Sequence, residues 1–231
     1  MMQLPSAPSI QRKSSFIQPK VEIVIACEGK VTEKHYLNSC KTAYGSGMVQ
    51  IRWLPITGVP MTVVNAAVEE RKVLLERARK SADSFDVFRV WAVFDRDEHP
   101  EVPEALELAR VNKIDVAFSN PCFEIWPLLH LIDYGAVHGR HKVQSMLNEV
   151  MPSYHHDKSP VVDFDMIKDN FGRAYAKADY LNRSRSDDCD PFGCPMTTVG
   201  VLVKKIIENG KGAFSRGAKV ANTTYSQSAR R

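Results

Sequence analysis

The sequence lacks the features that mark membrane, secreted and zinc-bound proteins. No apolar run approaches the length of a bilayer span, and residues 1–19 are polar, without the apolar core of a secretory signal. The five cysteines are odd in number and irregularly spaced, which indicates reduced thiols. Cys189 and Cys194 have no second pair to complete a zinc site, so zinc is rejected. We therefore expect a cytoplasmic protein with no membrane-spanning segment.

The chain also lacks a strong charge of either sign. A net charge of +4 over 231 residues permits a polyanionic partner but does not require one. Hydrophobic residues make up 44% and charged residues 25%, as in ordinary globular proteins. The length is sufficient for one α/β domain with an appendage.

Four short apolar segments alternate with helical patterns in the first part of the chain, at residues 21–27, 51–56, 87–94 and 114–119. This alternation predicts a mainly parallel four-stranded sheet flanked by helices. Beyond about residue 135 the pattern predicts helices alone. We thus expect a flexible segment over 1–19, an α/β domain over 20–135, a helical cap on the same core over 136–210 and a flexible basic tail over 211–231.

Acidic residues follow the predicted strands. Asp95 and Asp97 come directly after the strand 87–94, and Glu28 follows the first strand. Open α/β sheets place ligands at the carboxyl ends of their strands, and extended residues two apart point the same way. Carboxylates held together repel unless a cation joins them, and Mg²⁺ or Mn²⁺ prefers oxygen ligands. The alternative interpretation is a solvated acidic turn.

Glu124 follows Asn120-Pro121, which ends the fourth strand and opens a helix. The helix dipole favours a carboxylate there, and this alone explains Glu124. The same position also allows a fourth acidic group at the site, and the residues leave both interpretations open. Further along, Lys158 lies in the polar loop 154–158, from which it can reach a phosphate.

Three segments of the chain resemble motifs of the RloB-like family, at residues 27–37, 93–99 and 119–126. The pairing of Glu28-Gly29 with a later Asp95-x-Asp97 also resembles the Toprim fold of topoisomerases, primases and related nucleases. The loop at 154–158 and the segment 197–199 resemble the rest of the family pattern more loosely. The chain departs from that pattern at Pro127, where leucine is common.

The resemblance implies a Toprim-like, metal-dependent nuclease of bacterial anti-phage defence, commonly encoded beside an AAA-type ATPase. Matched motif by motif, Glu28, Asp95, Asp97 and Glu124 are the expected ligands of Mg²⁺ or Mn²⁺. Glu28 is alternatively a general base, and Lys30, Arg96 or Lys158 would neutralise the scissile phosphate of DNA or RNA.

Two other functions stay open from the sequence. One is a non-catalytic Toprim-like subunit that binds nucleic acid or nucleotide and regulates the ATPase. The other is a phosphatase of the haloacid dehalogenase type with Asp95 as nucleophile, which needs a further acidic motif and a lysine downstream in order.

Overall fold

The computed structural model describes residues 21–80, 87–96 and 99–210. Asp97, the predicted flexible segment 1–19 and the predicted tail 211–231 lie outside the described residues. The elements, in chain order, are β1 (Val21–Cys27), α1 (Thr32–Tyr44), β2 (Val49–Trp53), α2 (Pro60–Lys80), β3 (Val87–Asp95), α3 (Val102–Val111), β4 (Asp115–Asn120), α4 (Ile125–Leu131), α5 (Arg140–Val150), α6 (Phe164–Ile167), a 3-10 turn (Lys168–Asn170), α7 (Phe171–Asp187), β5 (Met196–Thr197) and α8 (Val199–Gly210).

The described strands form one sheet in the order β2-β1-β3-β4-β5. Strands β1 to β4 run parallel, and β5 pairs antiparallel with β4. The mainly parallel α/β sheet is therefore confirmed, whereas the predicted number of four strands is wrong. The additional strand has only two residues, Met196 and Thr197, which is too short to show an alternating apolar pattern.

The sheet has a hydrophobic core on each face, because successive side chains of a strand point to opposite sides. In β1, Ile23 and Ile25 face the core that contains α1, α4, α5, α7 and α8. Val24 and Ala26 face the other core, with α2 and α3. All four side chains are fully buried, which explains why the strand is almost continuously apolar.

The helices after residue 135 pack on the same sheet face as α1. Val143 and Leu147 of α5 and Leu202 of α8 are fully buried in that core. In α4, Trp126 Nε1 donates a hydrogen bond of 2.7 Å to the hydroxyl of Tyr36 in α1. The helices after residue 135 therefore share one hydrophobic core with α1 and α4 on this face of the sheet. Among the described helices, none combines the length and apolarity needed to cross a membrane.

Candidate active site

The ends of β1, β3 and β4 bring three of the predicted acidic residues to one edge of the sheet. The backbone N–H of Glu28 donates to the carbonyl of Val93 at 3.0 Å, which continues the pairing of β1 with β3. Asp95 is the last residue of β3 and pairs in register with Ser119 of β4. The turn after β4 then leads to Glu124. The order of the strands therefore gathers residues that are far apart in the sequence.

A cavity of about 300 Å³ opens at this edge of the sheet. Glu28, Asp95 and Glu124 all line it, together with residues of the following loop and of the helical extension: Gly29, Lys30, Val31, Thr32, Glu33, Arg140, His156 and Pro160. The second aspartate of the pair, Asp97, lies outside the described residues. The metal-binding role of these carboxylates stays a prediction, but their convergence on one cavity is a property of the fold.

Asp95 is held by the turn that carries Glu124. Its Oδ2 atom accepts a hydrogen bond of 3.0 Å from the backbone N–H of Phe123. Burial, together with the nearby charges of Glu33 and Glu124, raises the pKa of the Asp95 carboxyl well above its ordinary value, although the Phe123 hydrogen bond opposes the shift. A carboxylate in this position gains stability from any added positive charge.

Glu124 is only 3% exposed and is surrounded by hydrogen-bond donors. Its Oε1 atom lies 2.5 Å from the Tyr154 hydroxyl, 3.1 Å from His156 Nδ1 and 3.4 Å from Gln144 Nε2. Burial acts to raise the pKa of Glu124, but the hydrogen bonds from His156 and Tyr154 outweigh it and lower the pKa to about 2. Glu124 is therefore ionised at neutral pH and fixed in one orientation.

The position of Glu124 agrees with both interpretations of this residue. It immediately precedes α4, where the helix dipole favours a carboxylate, although its side chain makes no capping hydrogen bond to that helix. Its carboxylate also contacts the helical extension and lines the cavity. A role of Glu124 as a fourth acidic group of the site stays a prediction.

Glu33 is a fourth acidic residue of the cavity that sequence reasoning did not single out. It lies in the first turn of α1, and its carboxylate folds back over Gly29, where an added Cβ atom would come within 1.9 Å of Glu33 Oε2. Burial and the charges of Glu124 and Glu28 raise the pKa of Glu33 to about 7. The available signal was its place in the first turn of a helix that follows a strand end, since such a turn borders the ligand crevice.

The helical extension contributes further residues that the sequence did not reveal. Arg140 and His156 line the cavity, and buried Tyr154 and Gln144 contact Glu124. His156 lies in the polar loop 154–158, and its Nδ1 atom is 3.1 Å from Glu124 Oε1, a contact that raises the pKa of its imidazole. These contacts join residues about 20 to 30 positions apart, and no local pattern encodes them.

Of the three cationic residues predicted to contact a phosphate, only one is among the described residues that line the cavity. Lys30 lines the cavity. Arg96 is not among the described residues that line the cavity, and its Nη1 atom donates to the carbonyl of His99 at 2.7 Å. Lys158 is exposed and is not among the described residues that line the cavity, so a role for Lys158 stays a prediction without support from the geometry.

The donor set of the cavity suits a hard divalent cation. Its oxygen ligands are carboxylates. Burial, and after it the repulsion among these carboxylates, raises the pKa values of Asp95 and Glu33, and a cation relieves that repulsion. Within residues 21–80, 87–96 and 99–210, no three Asp, Glu, His or Cys side chains already stand close enough to hold a metal ion. The residues fit the ion chemically, but the described ones do not form a closed cage.

Fold and cavity define a class of protein: an α/β protein whose mainly parallel sheet gathers carboxylates at the carboxyl ends of its strands, beneath a helical extension. The family model described as RloB-like protein matches residues 23–206. The chain belongs to the RloB-like family, and the resemblance of its motifs to that family is confirmed. No curated protein and no solved structure matches the chain.

Proposed function

We propose that this RloB-like protein is a metal-dependent nuclease that hydrolyses phosphodiester bonds of DNA or RNA. The observation that carries the proposal is the convergence of Glu28, Asp95 and Glu124 on one cavity that also holds Lys30 and Arg140. A scaffold has no physical need for clustered carboxylates, whereas hydrolysis of a phosphodiester needs both acidic and cationic groups.

In this proposal Glu28, Asp95, Glu124 and Asp97 would hold one or two Mg²⁺ or Mn²⁺ ions. Such an ion would lower the pKa of bound water and offset the charge that develops on the phosphate. The hydrogen bonds to Glu124 keep its carboxylate ionised and oriented. Glu28 acts either as a ligand or as the base that removes the proton of the attacking water, and Lys30 neutralises a phosphate oxygen.

The cellular setting belongs to the same proposal and is supported by the family resemblance alone. We propose a cytoplasmic protein that acts in bacterial anti-phage defence with an AAA-type ATPase and has the Toprim-like arrangement of acidic residues. The neighbouring gene is the simplest observation that bears on this setting, because such an ATPase is expected beside the nuclease.

The proposed activity is tested with fluorescent single-stranded and duplex DNA and RNA, incubated with Mg²⁺, Mn²⁺ or a chelator. We expect the wild type to cleave at least one substrate with metal only, and Glu28→Gln and Asp95→Asn to lose about 100-fold or more of the rate. The matched control is Glu107→Gln, which removes the same charge from an exposed position on α3.

Two outcomes contradict the proposal. Cleavage by Asp95→Asn at the wild-type rate would show that the carboxylates take no part in catalysis. The proposed nuclease activity would be contradicted if the wild type cleaved none of these substrates with either metal, even in the presence of the ATPase encoded beside it.

A second candidate is a binding subunit that holds nucleic acid or nucleotide without cleaving it. It is favoured by the cationic side chains of Lys30 and Arg140 in the cavity, which can bind a phosphate whether or not it is cleaved. Saturable binding of an oligonucleotide without turnover in the same experiment would select this function.

A further inference from the structure

The cavity is lined by groups of both charges. The strand ends and the first turn of α1 supply its carboxylates, from Glu28, Glu33, Asp95 and Glu124. The helical extension supplies Arg140 and His156, and the loop after β1 supplies Lys30. A phosphodiester is an anion and is repelled by the carboxylates, so a permanent positive charge at the cavity favours its entry.

Arg140 is held at the cavity by the position of its helix. It is the first residue of α5, and Gln144 lies four residues later on the same helix face. Gln144 Nε2 is 3.4 Å from Glu124 Oε1, so this face of α5 is directed at the acidic site. The neighbouring side chains Val143 and Leu147 are fully buried and fix the helix in the core.

The backbone of Arg140 is also in contact with the turn that carries Glu124. The Cys122 thiol lies 4.0 Å from the carbonyl oxygen of Arg140, two residues before Glu124 in the chain. Arg140 and His156 both line the cavity. The arginine therefore belongs to the site and is not a surface charge near it.

We propose that Arg140 contacts the substrate directly and holds two non-bridging oxygens of the phosphate that lies over Asp95. A guanidinium keeps its charge at all physiological pH values, and its planar fork binds a phosphate through two parallel hydrogen bonds. The inference rests on the proposed function for the class of substrate. It assigns phosphate binding to the helical extension, and to Arg140 in place of the exposed Lys158.

The contact is tested by anisotropy of a labelled single-stranded oligonucleotide titrated with the full-length protein, with Ca²⁺ in place of the catalytic metal. We expect Arg140→Gln to weaken binding about tenfold and to reduce the slope of log Kd against log salt by about 1. The matched control is Arg110→Gln, which removes the same charge from an exposed position on α3. It should keep the wild-type slope.

A second measurement separates contact from folding. This measurement uses a series of oligonucleotides, each with one neutral methylphosphonate linkage at a different position. We expect the wild type to bind one member of the series more weakly than the others. Arg140→Gln should bind that member as tightly as the rest of the series. If Arg140→Gln does not fold, Arg140→Lys replaces it. Its ammonium makes a single point contact, so we expect about threefold weaker binding and the same position-dependent loss in weakened form.

The outcomes distinguish this inference from the proposed nuclease activity. Binding that depends on Arg140 without any cleavage supports the contact and contradicts the nuclease. Metal-dependent cleavage with equal Kd, KM and salt slope for Arg140→Gln and Arg110→Gln contradicts the contact and leaves the nuclease in place. Absence of oligonucleotide binding by the wild type overturns the inference.

Discussion

Glu124 and Asp95 lie at the same edge of the sheet, but their carboxyl pKa values shift in opposite directions. Glu124 is surrounded by donors from the helical extension, which lower its pKa to about 2. Asp95 accepts one backbone hydrogen bond, and burial and the charges of Glu33 and Glu124 raise its pKa. Glu124 is therefore ionised at neutral pH, whereas an added cation would favour the ionised form of Asp95.

The hydrogen bond from Tyr154 to Glu124 should stabilise the fold measurably. Tyr154 is fully buried, and its hydroxyl is 2.5 Å from Glu124 Oε1. Replacing it in Tyr154→Phe leaves a buried carboxylate with one donor fewer, so we expect the free energy of unfolding in urea to fall by about 1–3 kcal/mol. The control Tyr180→Phe, at a residue that is 74% exposed, should change it by less than about 0.5 kcal/mol. Equal effects of the two substitutions would contradict this account of Glu124.

The raised pKa of Glu33 predicts how stability depends on pH when no metal is present. Its pKa is about 7 in the folded protein against an ordinary value of 4.5, so the folded state holds the proton more tightly than the unfolded state. The contribution of this group to stability is therefore present at low pH and is lost as the pH rises from about 4.5 to 7.

Melting curves in chelator at pH 5.0 and 7.5 measure this contribution. We expect Glu33→Gln to gain stability relative to the wild type at the higher pH, on the order of 1 kcal/mol after allowance for solvent screening. Glu76→Gln, at an exposed position on α2, is the control. A wild type and a Glu33→Gln variant with the same dependence on pH would contradict the assignment.

At the scale of elements, the close approach of α8 to α4 depends on Gly200. A Cβ atom at this position would lie 2.8 Å from two ring carbons of Trp126 and 3.0 Å from Tyr175. Because Trp126 is fully buried, its ring has no free space into which to move. Because Gly200 has no side chain, α8 can pack closely against the first turn of α4, next to the site.

We expect Gly200→Ala to destabilise the protein by about 1–3 kcal/mol, measured by urea unfolding, because the added methyl overpacks the interface. Gly172→Ala is the matched control, since Gly172 is also the second residue of its helix and has no atom within 4 Å of an added Cβ. That substitution should stabilise the protein by up to about 1 kcal/mol. A neutral or stabilising Gly200→Ala would contradict the packing described for α8.

The elements that the sequence predicts best are those whose signal is local. The apolar segment 21–27 is β1, and the polar residues after it and after β3 mark strand ends, which is sufficient to place Glu28 and Asp95 at one edge. The short strand β5 and the bonds from Tyr154 and His156 to Glu124 depend on contacts between distant parts of the chain. Such contacts form only when the whole core is assembled, so no periodicity or spacing in the sequence predicts them.

At the scale of the whole molecule, the site is divided between two parts of one fold. The parallel sheet supplies the carboxylates at its edge. The chain after residue 135 supplies Arg140 and Gln144 from α5, and Tyr154 and His156 from the loop that follows it. This division explains why the acidic motifs were visible in the sequence, whereas the residues that orient and complement them were not. It also predicts that substitutions in the extension alter substrate binding and the state of Glu124, whereas those at the strand ends alter metal binding.

The central claim, that carboxylates from separate strands hold a divalent cation, is tested most directly by titrating the protein with Mn²⁺ and following free Mn²⁺ by electron paramagnetic resonance. We expect the wild type and Glu107→Gln to bind one or two ions with equal affinity. Glu28→Gln and Asp95→Asn should bind at least about tenfold more weakly. A wild type that binds no Mn²⁺, or an Asp95→Asn variant that binds it as tightly as the wild type, would contradict the claim.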